Sequence, residues 1–379
     1  MIIYATYFAS IPFIASLFAV GCGAQTPVVS EDRVVRQTGS VNAISNMTVR
    51  RSVHTATLLL DGKVLIAGGY IGGDGNIASA ELFDPATSNF VAVGSMSTAR
   101  SSHSATLLPD GKVLVSGGFN GEYLDTTEIY DPSTKQFSTG PRMTSPRSGH
   151  IATAFKDGTV LFAGGVGTGW TFLKSAEIYD PLTKRFTAVS DMSVPRESHT
   201  ATLLNDGRIL IAGGHSGRRS QIVIFNSTEI YDPLTRRFTE ASGLTIMRHK
   251  HEAIRLIDGR VLILGGSDEQ DGDGAYNNAE VYNPADGKFT VVKNNMNASR
   301  YKLQGTAVLL PNGKVLVAGG ANRAEVFDPK TNSFSLTEGD MGTTRLFATA
   351  TLLGNGTVLI TGGYRDGRNI SDGAWIYRT

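Results

Sequence analysis

The stretch Arg100-Ser101-Ser102-His103-Ser104-Ala105-Thr106-Leu107-Leu108-Pro109-Asp110-Gly111-Lys112-Val113-Leu114-Val115-Ser116-Gly117-Gly118 decides how this chain is read. Two apolar runs flank Asp110-Gly111, a dipeptide suited to a type I′ hairpin because both central turn positions need positive φ. The same turn recurs at Asp61-Gly62, Asp157-Gly158, Asp206-Gly207, Asp258-Gly259, Asn312-Gly313 and Asn355-Gly356. A glycine pair closes each second run, at Gly68-Gly69, Gly117-Gly118, Gly164-Gly165, Gly213-Gly214, Gly265-Gly266, Gly319-Gly320 and Gly362-Gly363, with 43 to 54 residues between neighbours.

A period near 50 with glycine pairs marks one four-stranded propeller blade. After the glycines comes a loop of varying length and a third strand, such as Thr127-Glu128-Ile129-Tyr130, ended by Asp131-Pro132, where proline presets φ for a turn. A fourth strand starts at Phe137. The last unit ends at Ala374-Trp375-Ile376-Tyr377 without a fourth strand, whereas Val41 to Met47 matches the Phe90 to Met96 segment that follows a fourth strand elsewhere. The expectation is an all-β, seven-bladed β-propeller of four-stranded antiparallel blades over 39–379, closed by an N-terminal strand in the C-terminal blade. Such closure removes sheet edges that invite aggregation.

Composition narrows function. The formal charge is +1, from 35 basic and 34 acidic residues, so no basic stripe is available for nucleic acid. The single cysteine, Cys22, follows an apolar stretch from Ile11 to Val20, and Ala19-Val20-Gly21-Cys22 resembles the lipobox of bacterial lipoproteins. That resemblance implies a signal peptide over 1–21, acylation of Cys22, and a polar tether over 22–38 holding a monomeric domain to the membrane at a bacterial cell envelope. A signal peptide cut near Ala24, giving secretion, and an uncleaved anchor are the competing readings, and no Lys or Arg precedes Arg33.

The glycine pairs, the Glu-x-Tyr-Asp-Pro strand ends and the Arg-x-x-His strand starts together resemble the kelch-repeat β-propeller family from about Val41 to Thr379. That family serves as interaction modules, sugar-processing enzymes and oxidase scaffolds, so the resemblance speaks to fold more than to function. In style it is similar to the propeller of galactose oxidase and glyoxal oxidase. Their copper site needs a tyrosine cross-linked to a cysteine; with Cys22 in the signal, none of those catalytic residues carries over and no cofactor is expected. The sialic-acid mutarotase type of kelch propeller would need acid–base groups around the pore, which nothing in the sequence marks out.

Recurring residues read as scaffold. His54, His103, His150, His199 and His251 each follow an arginine by three positions and occupy equivalent places in successive blades, so they cannot converge on one ion. Arg51, Arg100, Arg147, Arg196, Arg248, Arg300 and Arg345 recur once per unit, and so do the third-strand Glu81, Glu128, Glu177, Glu229, Glu280 and Glu325, with Trp375 in the seventh place. One Arg–Glu pair per blade is the economical account, because a buried charge needs a partner; a positive ring around an anionic ligand is the alternative.

Symmetry breaking is the better guide to binding. In an alternating blade the loops after the glycine pairs share a face with the arginine-bearing connections, and binding residues collect on loops of a rigid scaffold. These loops carry Tyr70, Phe119, Tyr123, Trp170, Phe172, His215, Arg218, Arg219, Tyr276, Tyr364 and Arg365. Exposed aromatics beside arginines suit a sugar or a protein hot spot; the alternative is that some of them simply cover blade edges. Asp268, Asp271 and Asp273 in a glycine-rich loop resemble a fragment of a calcium loop without its later glutamate. The expected function is a non-catalytic binding module for a protein or glycan, and the alternative is a carbohydrate-active envelope enzyme at the pore. A local cluster of perturbed acids and bases would favour the enzyme; a broad aromatic and polar surface would favour the binder.

Overall fold

The computed structural model describes residues 38–73, 75–365 and 369–379. The expected signal peptide, Cys22 and nearly all of the tether lie outside them. Seven four-stranded antiparallel sheets follow one another along the chain. In the blade holding the quoted stretch, Ser104–Leu107, Val113–Ser116, Thr127–Asp131 and Gln136–Thr139 pair in order. Each innermost strand lies against that of the next blade, and Thr349–Leu352 of the seventh lies against Thr55–Leu58 of the first.

Burial follows the layer. Second strands such as Val64–Ala67, Val113–Ser116 and Val160–Ala163 are buried at every position, because neighbouring blades cover both faces. This explains why they read as continuous apolar runs rather than alternating ones. The core therefore lies between blades: Leu65 and Ala67 of the first pack with Val113, Val115 and Tyr130 of the second.

Closure occurs as expected. Ser40–Ala43 pairs with Ala374–Arg378 in the register Ser40 to Arg378 and Ala43 to Trp375, while Val41 and Met47 enter the core. Thr38, expected at the end of the tether, belongs to the ring. Its hydroxyl donates to the Leu336 carbonyl at 2.7 Å and its own carbonyl accepts from the Tyr377 hydroxyl at 2.8 Å.

The repeated polar residues knit each blade. Arg51 donates to Glu81 at 2.8 Å and to the Gly68 carbonyl at 2.8 Å, and the same pattern joins Arg100–Glu128, Arg147–Glu177, Arg196–Glu229, Arg248–Glu280 and Arg300–Glu325. These arginines are fully buried. The other oxygen of each glutamate caps the backbone just before the arginine, as Glu81 does at Thr48 N–H and Glu177 at Thr144 N–H. In the seventh blade Arg345 lies 4.8 Å from the Trp375 ring centre and donates to the Met341 carbonyl, a cation–π contact replacing the ion pair.

The histidines staple neighbouring blades. His103 reaches the Thr55 hydroxyl, His150 that of Ser104, His251 that of Thr200, and His54 that of Thr361, all at 3.0 to 3.1 Å. At the position that offers a hydroxyl to the other histidines, His199 is matched by Ile151, and its Nε2 has no hydrogen-bond partner among the described residues. The glycine pair follows from the same crowding: a Cβ on Gly68 would lie 2.7 Å from the His103 ring, and both glycines have positive φ.

Candidate functional site

The site begins inside the Arg-x-x-His motif. The residue after the arginine forms a β-bridge with the residue after the glycine pair: Ser52 with Tyr70, Ser101 with Phe119, Ser148 with Val166, Glu197 with His215, His249 with Ser267, and Leu346 with Tyr364. The variable loops and the strand starts thus share one face, as the alternation of strands requires.

The next residue turns into the central channel. Val53, Ser102, Ser198, Lys250, Lys302 and Phe347 have φ between 50° and 55°, and Gly149 has φ 63°. A non-glycine residue there is strained, a β-branched one especially. What holds it is a girdle of backbone hydrogen bonds from one blade to the one before: Val53 to Phe347, Ser102 to Val53, Gly149 to Ser102, Lys250 to Ser198, Lys302 to Lys250 and Phe347 to Lys302, at 2.8 to 3.3 Å. The girdle rims a channel of about 530 Å³ lined by the innermost strands.

The seven dipeptides between arginine and the staple position are not alike. The first three blades place Ser52-Val53, Ser101-Ser102 and Ser148-Gly149 at the mouth; the next three place Glu197-Ser198, His249-Lys250 and Tyr301-Lys302; the seventh places Leu346-Phe347. The titratable groups therefore gather on one side. The Glu197 carboxylate fills the space above Gly149, where a Cβ would approach its Oε1 to 2.6 Å.

Hydrogen bonding fixes where the protons reside. His249 Nε2 lies 3.1 Å from the Asp268 carbonyl, which can only accept, so Nε2 carries the proton and Nδ1 is the acceptor. The His215 Nδ1–H then donates to it at 3.1 Å. That leaves His215 Nε2 bare, 3.3 Å from Glu197 Oε2. Burial raises the Glu197 carboxyl above its usual value, against the pull of Lys250 and Arg218. Burial, helped by His249 and Lys250, lowers His215 to about 3. Both shifts favour the uncharged forms of the two facing groups.

Beside this chain, Lys250 donates to Asp271 at 2.7 Å, and Lys302 lies 3.3 Å from the other oxygen of the same carboxylate. The Lys302 ammonium faces the rings of Tyr301, Phe347 and Tyr364 at 4.9 to 5.8 Å. Burial disfavours its charge, yet Tyr364, Asp271 and Tyr301 outweigh that and raise it. On the other flank Arg218 stacks on Trp170, Trp170 meets Tyr123 edge-on at 5.6 Å, and Tyr123 meets Phe119 at 5.1 Å. Trp170 is 48% exposed, a shelf open to solvent.

The residues expected from the loops thus divide. Phe119, Tyr123, Trp170, Arg218 and Tyr364 belong to the mouth, and Phe172 packs edge-on against His215. His215, expected as an exposed loop residue, is buried and hydrogen-bonded to His249. Tyr276 lies beside Arg248 at 5.6 Å and Tyr70 is half-buried in its bridge, both lining blades. Arg219 and Arg365 are exposed on the loops. The lysine contacts occupy the Asp271 carboxylate, and among the described residues no three His, Cys, Asp or Glu side chains are grouped to hold a metal ion. Glu197, His249, Lys250, Tyr301, Lys302 and Phe347 were not expected; aligning the residue pairs inside the seven motifs would have revealed them.

Residues 53–254, just over half of the chain, match the model of the KLHDC2/KLHL20/DRC7 Kelch-repeats domain. The chain belongs to the kelch-repeat family. A solved fungal structure, described as a novel alcohol oxidase with catalytic diversity among the AA5 family in complex with copper, is similar over 90% of this chain and 76% of its own. The TM-score is 0.71 and the identity 18%, a likeness of fold alone. No curated protein matches the chain.

Proposed function

We propose that this kelch-repeat propeller is an exported binding module that holds a protein or glycan at the cell envelope, through the channel mouth of its variable face. One observation carries the reading: the side chains that break the sevenfold repetition converge on one rim, where an exposed Trp170–Arg218 stack adjoins a partly buried arc of charge. Aromatic and cationic groups in that arrangement supply stacking, hydrogen bonds and charge without a deep enclosed pocket. Envelope attachment rests on Cys22 as the acylated residue.

A glycan array combined with pull-down from envelope extract tests it. Trp170→Ala should weaken capture about tenfold or more, the loss of a hot-spot aromatic, with an unchanged melting temperature. Capture unaffected by that change would place the site elsewhere.

The second reading, an enzyme acting on a carbohydrate at the same mouth, is favoured by the Glu197–His215 contact, since a buried carboxyl 3.3 Å from an imidazole brings together two groups able to act as acid and base. Chemical change in a captured glycan, lost in Glu197→Gln while binding persists, would select it.

A further inference from the structure

The lysine pair has a geometry that an ion pair alone does not require. Lys250 and Lys302 stand at equivalent girdle positions of successive blades, joined by the Lys302 N–H donating to the Lys250 carbonyl at 3.0 Å. Lys250 lines the channel, and the Lys302 ammonium lies beside the channel-lining Phe347. Their ammoniums are largely sheltered, with side-chain exposures of 18% and 16%, yet one carboxylate serves both. Among the described residues Asp271 is the carboxylate in ion-pair contact with both lysines, so a ligand carboxylate entering there would replace it as their counter-ion. Asp271 is the most exposed of the three, at 41%, and it sits on a loop with positive φ, tied locally by its N–H to the Asp268 carbonyl. The anion is therefore the displaceable partner, and the cations are the fixed ones.

We propose that Lys250 and Lys302 form a carboxylate-binding subsite which the chain's own Asp271 occupies in competition with ligand, and that the ligand is an acidic saccharide, its ring on the aromatic flank and its carboxylate on the lysines. This rests on the reading of the channel mouth as the binding site. A saccharide is preferred to an acidic peptide because Lys302 is walled by Tyr301, Phe347 and Tyr364, while Trp170 offers a flat exposed face across the same rim. Planar rings stack on sugar faces, whereas an acidic side chain gains nothing from them.

Titration calorimetry with an oligogalacturonate, its fully methyl-esterified form and an oligoglutamate peptide tests the proposal on the whole chain. The acid should bind the parent more tightly than the ester. Asp271→Asn should strengthen the acid about five- to tenfold, the scale of removing a partly exposed ion-pair competitor, and leave the ester unchanged. The double change Lys250→Met and Lys302→Met should remove the preference for acid over ester, and retention of the parent melt shows that folding is intact. Equal binding of acid and ester, or no gain in Asp271→Asn, overturns the subsite. Binding of the peptide at the strength of the saccharide overturns the choice of ligand. Neither acid nor ester binding, while another glycan or a protein is captured in a Trp170-dependent way, overturns the subsite and leaves the channel-mouth reading standing.

Discussion

The first three blades and the next three differ at the channel mouth by only two residues each, and that difference separates scaffold from site. Both arcs share the buried Arg–Glu pair, the glycine pair and the girdle of backbone bonds. The first arc fills its two variable positions with serine, valine and glycine; the second fills them with Glu197, Ser198, His249, Lys250, Tyr301 and Lys302, five of the six large, charged or titratable. The lesson is that a strained but repeated backbone position lets side chains change without disturbing the blade. Stability and chemistry occupy adjacent residues of one motif and remain separable.

The comparison breaks most completely if the ring fails to behave as one unit. Deleting residues 34–47 removes the Ser40–Ala43 strand together with Val41 and Met47 from the core between the last blade and its neighbours. The whole ring should then lose cooperative folding, because the seventh blade's outer edge opens and its packing is shared. A truncated protein that melted in one transition at the parent temperature would show that closure contributes little.

Scaffold equivalence is tested more sharply by removing one glutamate from each arc. Glu177→Ala strands Arg147 and Glu280→Ala strands Arg248, both fully buried arginines. Each should cost about 3–5 kcal/mol, the typical penalty of an uncompensated buried charge. The two losses should agree within experimental error in denaturant titrations. A much smaller loss in the fifth blade would mean that the charged mouth already strains it, and that the two arcs do not share one scaffold.

The repeated frame was legible in the sequence and the site only in part, for a physical reason. Asp-Gly turns, glycine pairs and Arg–Glu spacing recur because the same contacts recur, and repetition is visible without structure. The inward-facing positions carry no such mark: Val53, Ser102, Lys250 and Phe347 all adopt the same left-handed backbone, which long-range girdle bonds impose and composition does not reveal. His215 resembled an exposed loop residue until its bridge to Glu197 buried it. The partner of Arg345 could not be read either, since a Trp375 ring in place of a carboxylate is recognised as a cation's partner only once the two are seen in contact.

The last and smallest effect concerns Glu252, which stands where Thr55, Ser104 and Thr200 offer a hydroxyl to the next blade's histidine. The next blade has Leu303 instead, and the carboxylate reaches the N–H groups of Gly305 and Thr306, where the innermost strand, Ala307–Leu309, starts late. Burial raises this carboxyl to about 7, against the hydrogen bonds that favour its charge. A carboxyl raised in the folded state binds its proton more tightly there than when unfolded. Its stabilising contribution is therefore full below the ordinary value of 4.5 and is lost as pH rises through about 7. Glu252→Gln keeps an oxygen for the two N–H groups and cannot ionise. Relative to the parent it should gain on the order of 3 kcal/mol between pH 4.5 and pH 8. The seven histidines, held below their usual value chiefly by burial, contribute equally to both proteins and cancel in the difference. Denaturant midpoints of parent and variant across that range check it. Parallel curves would mean that Glu252 stays ionised on the Gly305 and Thr306 amides throughout, and that this second carboxyl of the channel is a strut with no titration of its own.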